Sequence, residues 1–109
     1  MIYALNLYDI VEGEEDTYRQ YVKLATQQLI DLDARPVCSG TNPVRSIKGN
    51  SRQHMLVMEF ANQREFDRFM SRLKDQKLHM LRDTSTENHI WTLYENWNLK
   101  HWVNKTRAN

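Results

Sequence analysis

Apolar and polar residues alternate over residues 2–11, and this period of two predicts a β-strand. Leu5 and Leu7 fall on one side of that strand, whereas Ala4, Asn6 and Tyr8 fall on the other. The chain therefore opens with a strand that has two chemically different faces.

The pattern changes to helical spacing after residue 16. Thr17 and, three positions later, Gln20 indicate a capping box at the start of a first helix. The residue before Pro36 resists the α conformation, so the helix must end ahead of it. The apolar stripe of this helix consists of Tyr18, Tyr21, Val22, Ala25 and Leu29.

Three further stretches predict strands. Residues 36–47 form a weak one, in which Gly40 and Pro43 indicate a bulge or an edge position. Residues 54–60 are almost entirely apolar, and residues 89–97 are rich in aromatic and β-branched side chains.

A second helix is predicted between the last two of these strands. Asn62 and Glu65 form a candidate capping box at its start. Lys77 falls where an apolar residue is due, so a kink or a division into two short helices is expected near residues 74–77. The stripe before this break consists of Phe66, Phe69, Met70 and Leu73.

The resulting order, β-α-β-β-α-β, is that of a ferredoxin-like α+β fold, in which an antiparallel sheet carries two helices on one face. The other face should not remain in water, because a contiguous apolar patch of this size is rare on a monomer. We therefore expect a homodimer through the sheet face, which would enclose a barrel-like interior as a dimeric α+β barrel. The residues assigned to that face are Val57, Met55, Ala4, Tyr8 and either Trp91 or Tyr94.

Length and composition narrow the class of protein. A chain of 109 residues suits one domain, residues 1–98, with residues 99–109 as a partly docked C-terminal tail. Its 15 basic and 14 acidic residues leave a net charge of +1 and no basic stripe for nucleic acid. The apolar stretch at residues 1–11 is too short to span a bilayer, and the single Cys38 suits a reducing compartment. We expect a cytoplasmic protein with no nucleic-acid or membrane partner.

The segments YALNLYDI, TYRQYV, VMEFAN and IWTLYENW follow one another along residues 2–98. In this order they resemble the dimeric α+β barrel superfamily, and YRQYV, IKGN and VMEFANQREF resemble an uncharacterised bacterial branch of it. More distant members are antibiotic-biosynthesis monooxygenases, isomerases, haem-degrading enzymes and small prodigiosin-pathway proteins. The resemblance implies the barrel fold and a cofactor-independent activity in secondary metabolism.

The haem-degrading branch uses an asparagine on the first strand and a tryptophan and a histidine ten residues apart on the second helix. Asn6 and His79 match two of these positions, but Phe69 stands where the pattern has tryptophan. Phenylalanine lacks the indole N–H and the bulk associated with haem distortion. This departure argues against haem, and no cofactor is expected.

Glu59 is the one carboxylate in the apolar run of residues 54–60. Alternation places it with Met55 and Val57 and away from the side chains that suit the helices, which are Leu56, Met58 and Phe60. We expect Glu59 to face the barrel cavity, where lost hydration would suit it to acid or base catalysis. The alternative is an ion pair that only fixes the dimer, with Arg35, Arg45 or Arg52.

Other polar and aromatic residues are expected around the same cavity. The candidate catalytic residues are Glu59, Tyr8 and Asn6, and the candidate ligand-binding residues are Tyr94, Asn96, Val57, Met55 and His79. Alternatively, the polar residues on the first and last strands hydrogen-bond across the sheet and only set its register.

The histidines and the cysteine give weaker indications of a catalytic or metal-binding role than Glu59 does. His79 is more commonly an exposed helical residue than a ligand, and His54 and His89 open strands, where solvent-facing positions are favoured. The histidines lack the close spacing of a zinc site, so no metal is expected. Cys38 has no neighbouring histidine to activate it as a nucleophile.

The C-terminal tail carries apolar residues beyond the basic fold: Trp97, Leu99, Trp102 and Val103. Tryptophan favours interfaces, so Trp102 is expected to be buried against the fold or against a partner subunit. Residues 104–109 should fray.

Two functions remain open from the sequence. The first is a small-molecule-binding protein or a cofactor-independent enzyme of monooxygenase or isomerase type, acting on an aromatic or polyketide-like metabolite. The second is a non-catalytic dimeric interaction or regulatory module. An open cavity of a few hundred Å³ would favour the first, and a filled interior would favour the second.

Overall fold

The computed structural model describes residues 1–107, which form four strands and four helices. The strands are β1 (Ile2–Ile10), β2 (Arg35–Thr41), β3 (His54–Phe60) and β4 (Thr86–Glu95). The helices are α1 (Glu15–Asp31), α2 (Gln63–Asp75), α3 (Leu78–Ser85) and α4 (Leu99–Arg107). The strands pair antiparallel in the order β2-β3-β1-β4, which confirms the predicted ferredoxin-like α+β fold.

The sheet has two faces, which strand register assigns without ambiguity. Ala4 pairs with Met58, and both belong to the buried core beneath the helices. The helical face therefore comprises Ile2, Ala4, Asn6, Tyr8, Leu56, Met58, Phe60, Trp91 and Leu93. The open face comprises Tyr3, Leu5, Leu7, Met55, Val57, Glu59, Ile90, Thr92 and Tyr94.

This assignment corrects part of the sequence analysis. Ala4 and Tyr8 were assigned to the open face, but they lie on the helical face. Of the two alternatives on β4, Tyr94 lies on the open face and Trp91 on the helical face. The predicted alternation along β1 is correct, but its two sets of side chains were assigned to the wrong faces of the sheet. Register explains the error, because Met58 must share a face with Ala4, and Met58 packs in the core.

The core lies where α2 crosses the helical face. Phe60, at the end of β3, is 1% exposed and packs edge-on against Phe66 at 5.2 Å between ring centroids. Phe69 lies 5.7 Å from the same ring, and Leu73 one turn later is fully buried. Burying side chains of this size contributes roughly 1.5–3 kcal/mol each. This cluster fixes the helix layer on the sheet.

The two predicted capping boxes have different outcomes. Helix α1 begins at Glu15, and Thr17 lies inside it with its hydroxyl donating to the carboxylate of Glu14 at 2.8 Å, so this capping box was wrong. Helix α2 begins after Asn62, whose Oδ1 accepts from the backbone N–H of Glu65 at 3.0 Å. That bond confirms the Asn62 half of the predicted box, whereas the carboxylate of Glu65 accepts from Arg68.

The break predicted near residues 74–77 is confirmed. Helix α2 ends at Asp75, and α3 begins at Leu78. Between them Lys77 adopts a left-handed backbone conformation, with φ of 59°. The break changes the direction of the chain and turns α3 towards α1.

The edge strand β2 is shorter than predicted. It ends at Thr41 instead of residue 47, and a bulge interrupts its pairing between Pro36 and Cys38. Residues 42–50 are exposed, including the side chains of Val44 and Ile47. Proline and glycine disfavour a regular strand here.

Helix α4 extends the molecule. The described chain measures 55 × 34 × 16 Å with a radius of gyration of 16.1 Å, against about 13 Å for a compact chain of this length.

Trp102 is 56% exposed, so its predicted burial by its own chain is not observed, and burial by a partner stays a prediction. Helix α4 continues through Arg107, the predicted fraying stays a prediction, and residues 108–109 lie outside the described residues. No helix within residues 1–107 is long and apolar enough to cross a membrane.

Replacing Asn62 with alanine should lower the free energy of unfolding by about 1 kcal/mol, because the Glu65 N–H loses its cap. Asn62→Asp keeps an acceptor at the same place and should retain most of the stability. Urea denaturation of both variants checks this. Equal losses in both would show that the cap oxygen is not what stabilises α2.

Candidate functional site

A pocket of 290 Å³ lies between α1 and the helical face of the sheet. Its walls are mainly apolar, and the exposed residues Val22, Thr26, Ile30 and Pro36 lie at its mouth. The polar and aromatic groups that line it are Asn6, Tyr8, Tyr18, Tyr21, Arg82, Thr86 and His89. This combination of apolar walls and a few converging polar groups is typical of small-molecule sites.

Tyr8 forms the inner wall of the pocket. Its ring stacks between His54 and His89, at centroid distances of 5.4 and 5.5 Å. Its hydroxyl hydrogen-bonds the hydroxyl of Tyr18 on α1. The side chain is only 5% exposed, so its position is fixed on both ring faces and at its tip.

Burial keeps the tyrosine hydroxyls protonated. Desolvation raises the pKa of Tyr8, and the hydrogen bond with Tyr18 partly opposes this rise. Desolvation also raises the pKa of Tyr18, and the bond to Tyr8 adds to the effect. The pKa of Tyr21 is raised by burial against the opposing influence of Arg82. All three groups are therefore hydrogen-bond donors at neutral pH.

A β-bulge in β4 brings His89 into the pocket. Leu7 pairs with Ile90 and Asp9 with Glu87, so one residue of β1 stands opposite two residues of β4. The extra residue is Asn88, which has φ of 58° and donates from Nδ2 to Asp9 Oδ2 at 2.9 Å.

The bulge shifts the alternation of side chains along β4. Thr86 and His89 have opposite parity in the sequence, yet both line the pocket. A regular strand would send one of them to the open face.

His89 is suited to accept a proton. Burial lowers the pKa of its imidazole, and the nearby cation of Arg82 lowers it further. The ring lies between Tyr8 and Trp91, with its centroid 6.4 Å from the Trp91 ring. The imidazole is therefore neutral at pH 7, so one ring nitrogen is an acceptor.

Arg82 supplies the positive charge of the pocket wall. Its Cζ atom lies 5.5 Å from the centre of the Trp91 ring, and its Nε lies 3.2 Å from Asp83 Oδ1. Within residues 1–107, Nη1 of Arg82 and Oδ1 of Asn6 are buried without a hydrogen-bond partner. Both residues line the pocket.

The structure does not bring the predicted site residues together. Asn6 and Tyr8 line the pocket on the helical face, but Glu59 and Tyr94 lie on the open face, with the sheet between the two sets. The single cavity expected for these four residues is therefore wrong. Met55 and Val57 also lie on the open face, and Asn96 is exposed beyond the end of β4.

Glu59 lies opposite the helices, as alternation predicts, and is paired. Arg35 donates from Nε to its Oε1 at 2.9 Å and from Nη2 to its Oε2 at 3.4 Å. The carboxylate side chain is 9% exposed, whereas that of Arg35 is 70% exposed. This geometry is the ion pair that the sequence left as the alternative to a catalytic role.

His79 lies in a different depression, between α2 and α3. Its neighbours there are Met70, Ser71, Lys74 and Arg82, and its Nδ1 is buried without a partner among the described residues. Asn6 and Phe69 line the pocket, so the trio compared with the haem-degrading branch is divided between two places. No group of three histidine, cysteine, aspartate or glutamate residues within residues 1–107 could hold a metal ion.

Sequence reasoning missed several residues of the pocket. Tyr18 and Tyr21 were assigned to a helix stripe, and His89 was assigned to a solvent-facing turn. The available signal was Asn88, since asparagine tolerates the left-handed conformation that a bulge requires. Nothing in the sequence marks Arg82, because α3 turns it into the pocket only after the break at Lys77.

Solved structures share this fold at low sequence identity. A protein of unknown function from Rhodopseudomonas palustris is 13% identical, with a TM-score of 0.74 over 89% of this chain and 82% of that one. An uncharacterised NIPSNAP domain protein from Burkholderia xenovorans is 12% identical, with a TM-score of 0.61 over 91% of this chain and 97% of that one.

A dimeric protein of unknown function with a ferredoxin-like fold, from Bacteroides fragilis, is also similar. It is 12% identical, with a TM-score of 0.60 over 87% of this chain and 95% of that one. No protein-family model and no curated protein matches this chain. At these identities the comparisons show the fold alone, and that fold is the ferredoxin-like α+β fold of uncharacterised and NIPSNAP-domain proteins.

Proposed function

We propose that this protein binds a small aromatic or polyketide-like molecule in the pocket between α1 and the sheet. One observation carries the proposal: an apolar-walled space of 290 Å³ receives the side chains of Tyr8, Tyr18, Arg82 and His89. A space of this size admits a molecule of one or two fused rings. The aromatic walls would hold its body, and the polar groups would fix its orientation.

The chemistry that these groups would support is proton transfer. The neutral His89 could take a proton from a carbon or oxygen of the ligand, because its lowered pKa leaves a nitrogen free to accept one. Tyr8 and Tyr18 share one hydrogen bond, so one of the two hydroxyls keeps its proton free and could donate it to the oxyanion that then develops. Return of the proton at another carbon would complete an isomerisation without a cofactor. Oxygenation of the same anion would require O₂ as a second substrate.

The pocket favours this proposal over a non-catalytic module. A module that uses its polar residues only to set register would have no reason to keep an apolar space next to a buried cation, because packing normally fills such spaces. The barrel interior of a dimer would be a separate compartment on the open face. The pocket is complete within one chain.

We also propose a homodimer through the open face. Leu5, Leu7 and Val57 are only partly covered there, and Ile90 and Tyr94 are 44% and 53% exposed. No helix within residues 1–107 covers that side. The dimeric ferredoxin-like protein from Bacteroides fragilis supports this assembly. Helix α4, with Trp102, would then pack on the partner.

In this proposal Glu59 stabilises the open face and takes no part in the chemistry. Its carboxylate is already engaged by two nitrogens of Arg35, and the sheet separates it from the pocket. A buried carboxylate with one exposed partner sets the position of β2 against β3. The same pair would lie at the edge of the dimer interface.

Filling the mouth of the pocket should abolish binding of a neutral aromatic probe. Thr26→Phe places a ring at an exposed position that lines the pocket, and Gln27→Phe places the same ring at the next exposed position of α1, outside it. Calorimetry with 2-naphthamide should show binding to the wild type and to Gln27→Phe but not to Thr26→Phe. Equal binding to all three would rule out this pocket as the site.

Sedimentation should show a dimer at micromolar concentration. Tyr94→Lys places a charge on the open face and should yield a monomer, because burying an unpaired ammonium is costly. Met80→Lys, at a similarly exposed position on α3, should leave the dimer intact. A monomeric wild type would end the proposal of this interface.

Glu59→Gln should lower the free energy of unfolding by about 1 kcal/mol, because a hydrogen bond to a charged group is weakened while the partner stays in water. Arg35→Gln should lower it more, because it leaves a buried carboxylate without its partner. Binding of 2-naphthamide should be unchanged in both variants. Loss of that binding in Glu59→Gln would instead assign Glu59 to the ligand site.

A further inference from the structure

The guanidinium of Arg82 is held in place but incompletely paired. Its side chain is 16% exposed, and its Nε forms an ion pair with Asp83, whose own side chain is 63% exposed. The face of the guanidinium lies over Trp91. Its Nη1 is buried with no hydrogen-bond partner among the described residues. The hydroxyl of Tyr21 is the neutral group beside the guanidinium, and its hydrogen bond with Arg82 opposes the rise in the pKa of Tyr21. The Nη1 edge of a fixed cation is therefore left without a charged acceptor.

No acidic side chain of residues 1–107 lines the pocket to compensate this charge. The cation acts on two groups in the pocket wall, since it lowers the pKa of His89 and opposes the rise in the pKa of Tyr21. The tyrosine hydroxyls stay protonated, so they carry no negative charge that could neutralise the guanidinium of Arg82. The exposed Asp83 is the acidic partner of Arg82, and it meets the guanidinium at Nε, so a second anion at the unpaired Nη1 would add a favourable interaction.

We propose that the ligand of this pocket carries a carboxylate, attached to its aromatic body and bound by Arg82. This inference rests on the proposed function and adds the substrate class. A carboxylate matches the planar fork of a guanidinium, and bonds between two charged groups are shorter and stronger than neutral ones. Asp83 and Trp91 hold the guanidinium before the ligand arrives, so little side-chain entropy is lost on binding.

The orientation of the ligand follows from the same contacts. With its carboxylate at Arg82, its ring would lie on the apolar wall formed by Ala25, Leu29, Met58 and Phe69. His89, which shares the Trp91 ring with Arg82, would then stand beside the part of the ligand nearest the carboxylate. The proton transferred would be one close to the acid group.

The test compares two probes of nearly the same shape, 2-naphthoate and its uncharged counterpart 2-naphthamide, by calorimetry at pH 7. The wild type should bind 2-naphthoate about tenfold more tightly or better, as expected for a charge-assisted bond. Arg82→Gln should remove this preference, so that the two probes bind to the variant within about twofold of each other. Arg68→Gln, which removes an exposed α2 arginine that pairs with Glu65, is the matched control and should keep the preference.

The outcomes separate this inference from the proposed function. If 2-naphthamide binds but 2-naphthoate binds no more tightly, the carboxylate inference is overturned and the pocket stands. If neither probe binds, the proposed function itself fails.

A measurement on the wild type remains decisive if Arg82→Gln does not fold. Raising the salt concentration should weaken 2-naphthoate binding and leave 2-naphthamide binding unchanged. Equal salt dependence for both probes would refute a charged contact.

Discussion

The pleat of the central strands determines on which side of the sheet their candidate functional side chains lie. Successive side chains of β1 and β3 point to opposite faces, and the helices cover only one of those faces. Phe60 and Met58 pack against the helices, and this fixes Glu59, between them in sequence, on the other side. The same alternation of side chains therefore places Asn6 and Tyr8 in the pocket beneath α1 and the carboxylate of Glu59 on the open face.

The order of helices and strands could be predicted from the sequence because it depends on local patterns of residues. Element order, the Asn62 cap and the break before α3 each depend on a few neighbouring residues. The face on which Asn6 and Tyr8 lie could not be read locally, since both faces of β1 are mixed in polarity. It depends on pairing with β3, a contact between residues about fifty positions apart in sequence.

The pocket was less predictable than the fold for the same reason. Its polar groups come from two pairs of consecutive elements, β1 with α1 and α3 with β4, and these pairs are separated in sequence by β2, β3 and α2. Asn6 and Tyr8 were recognised as candidates because polar groups on a central strand need a partner. Tyr18 and Arg82 were not, because tyrosine in a helix stripe and arginine on a short helix are ordinary.

The bulge at Asn88 makes the two ends of β4 independent of each other. Beyond it, Ile90, Thr92 and Tyr94 follow one alternation on the open face, while Thr86, before it, follows the other alternation on the helical face. His89 and Ile90, both beyond the bulge, turn to opposite faces of the sheet, and Thr86 before the bulge turns to the same face as His89. The strand therefore consists of two segments joined out of phase, and each segment supplies a side chain to the same pocket, Thr86 from one and His89 from the other.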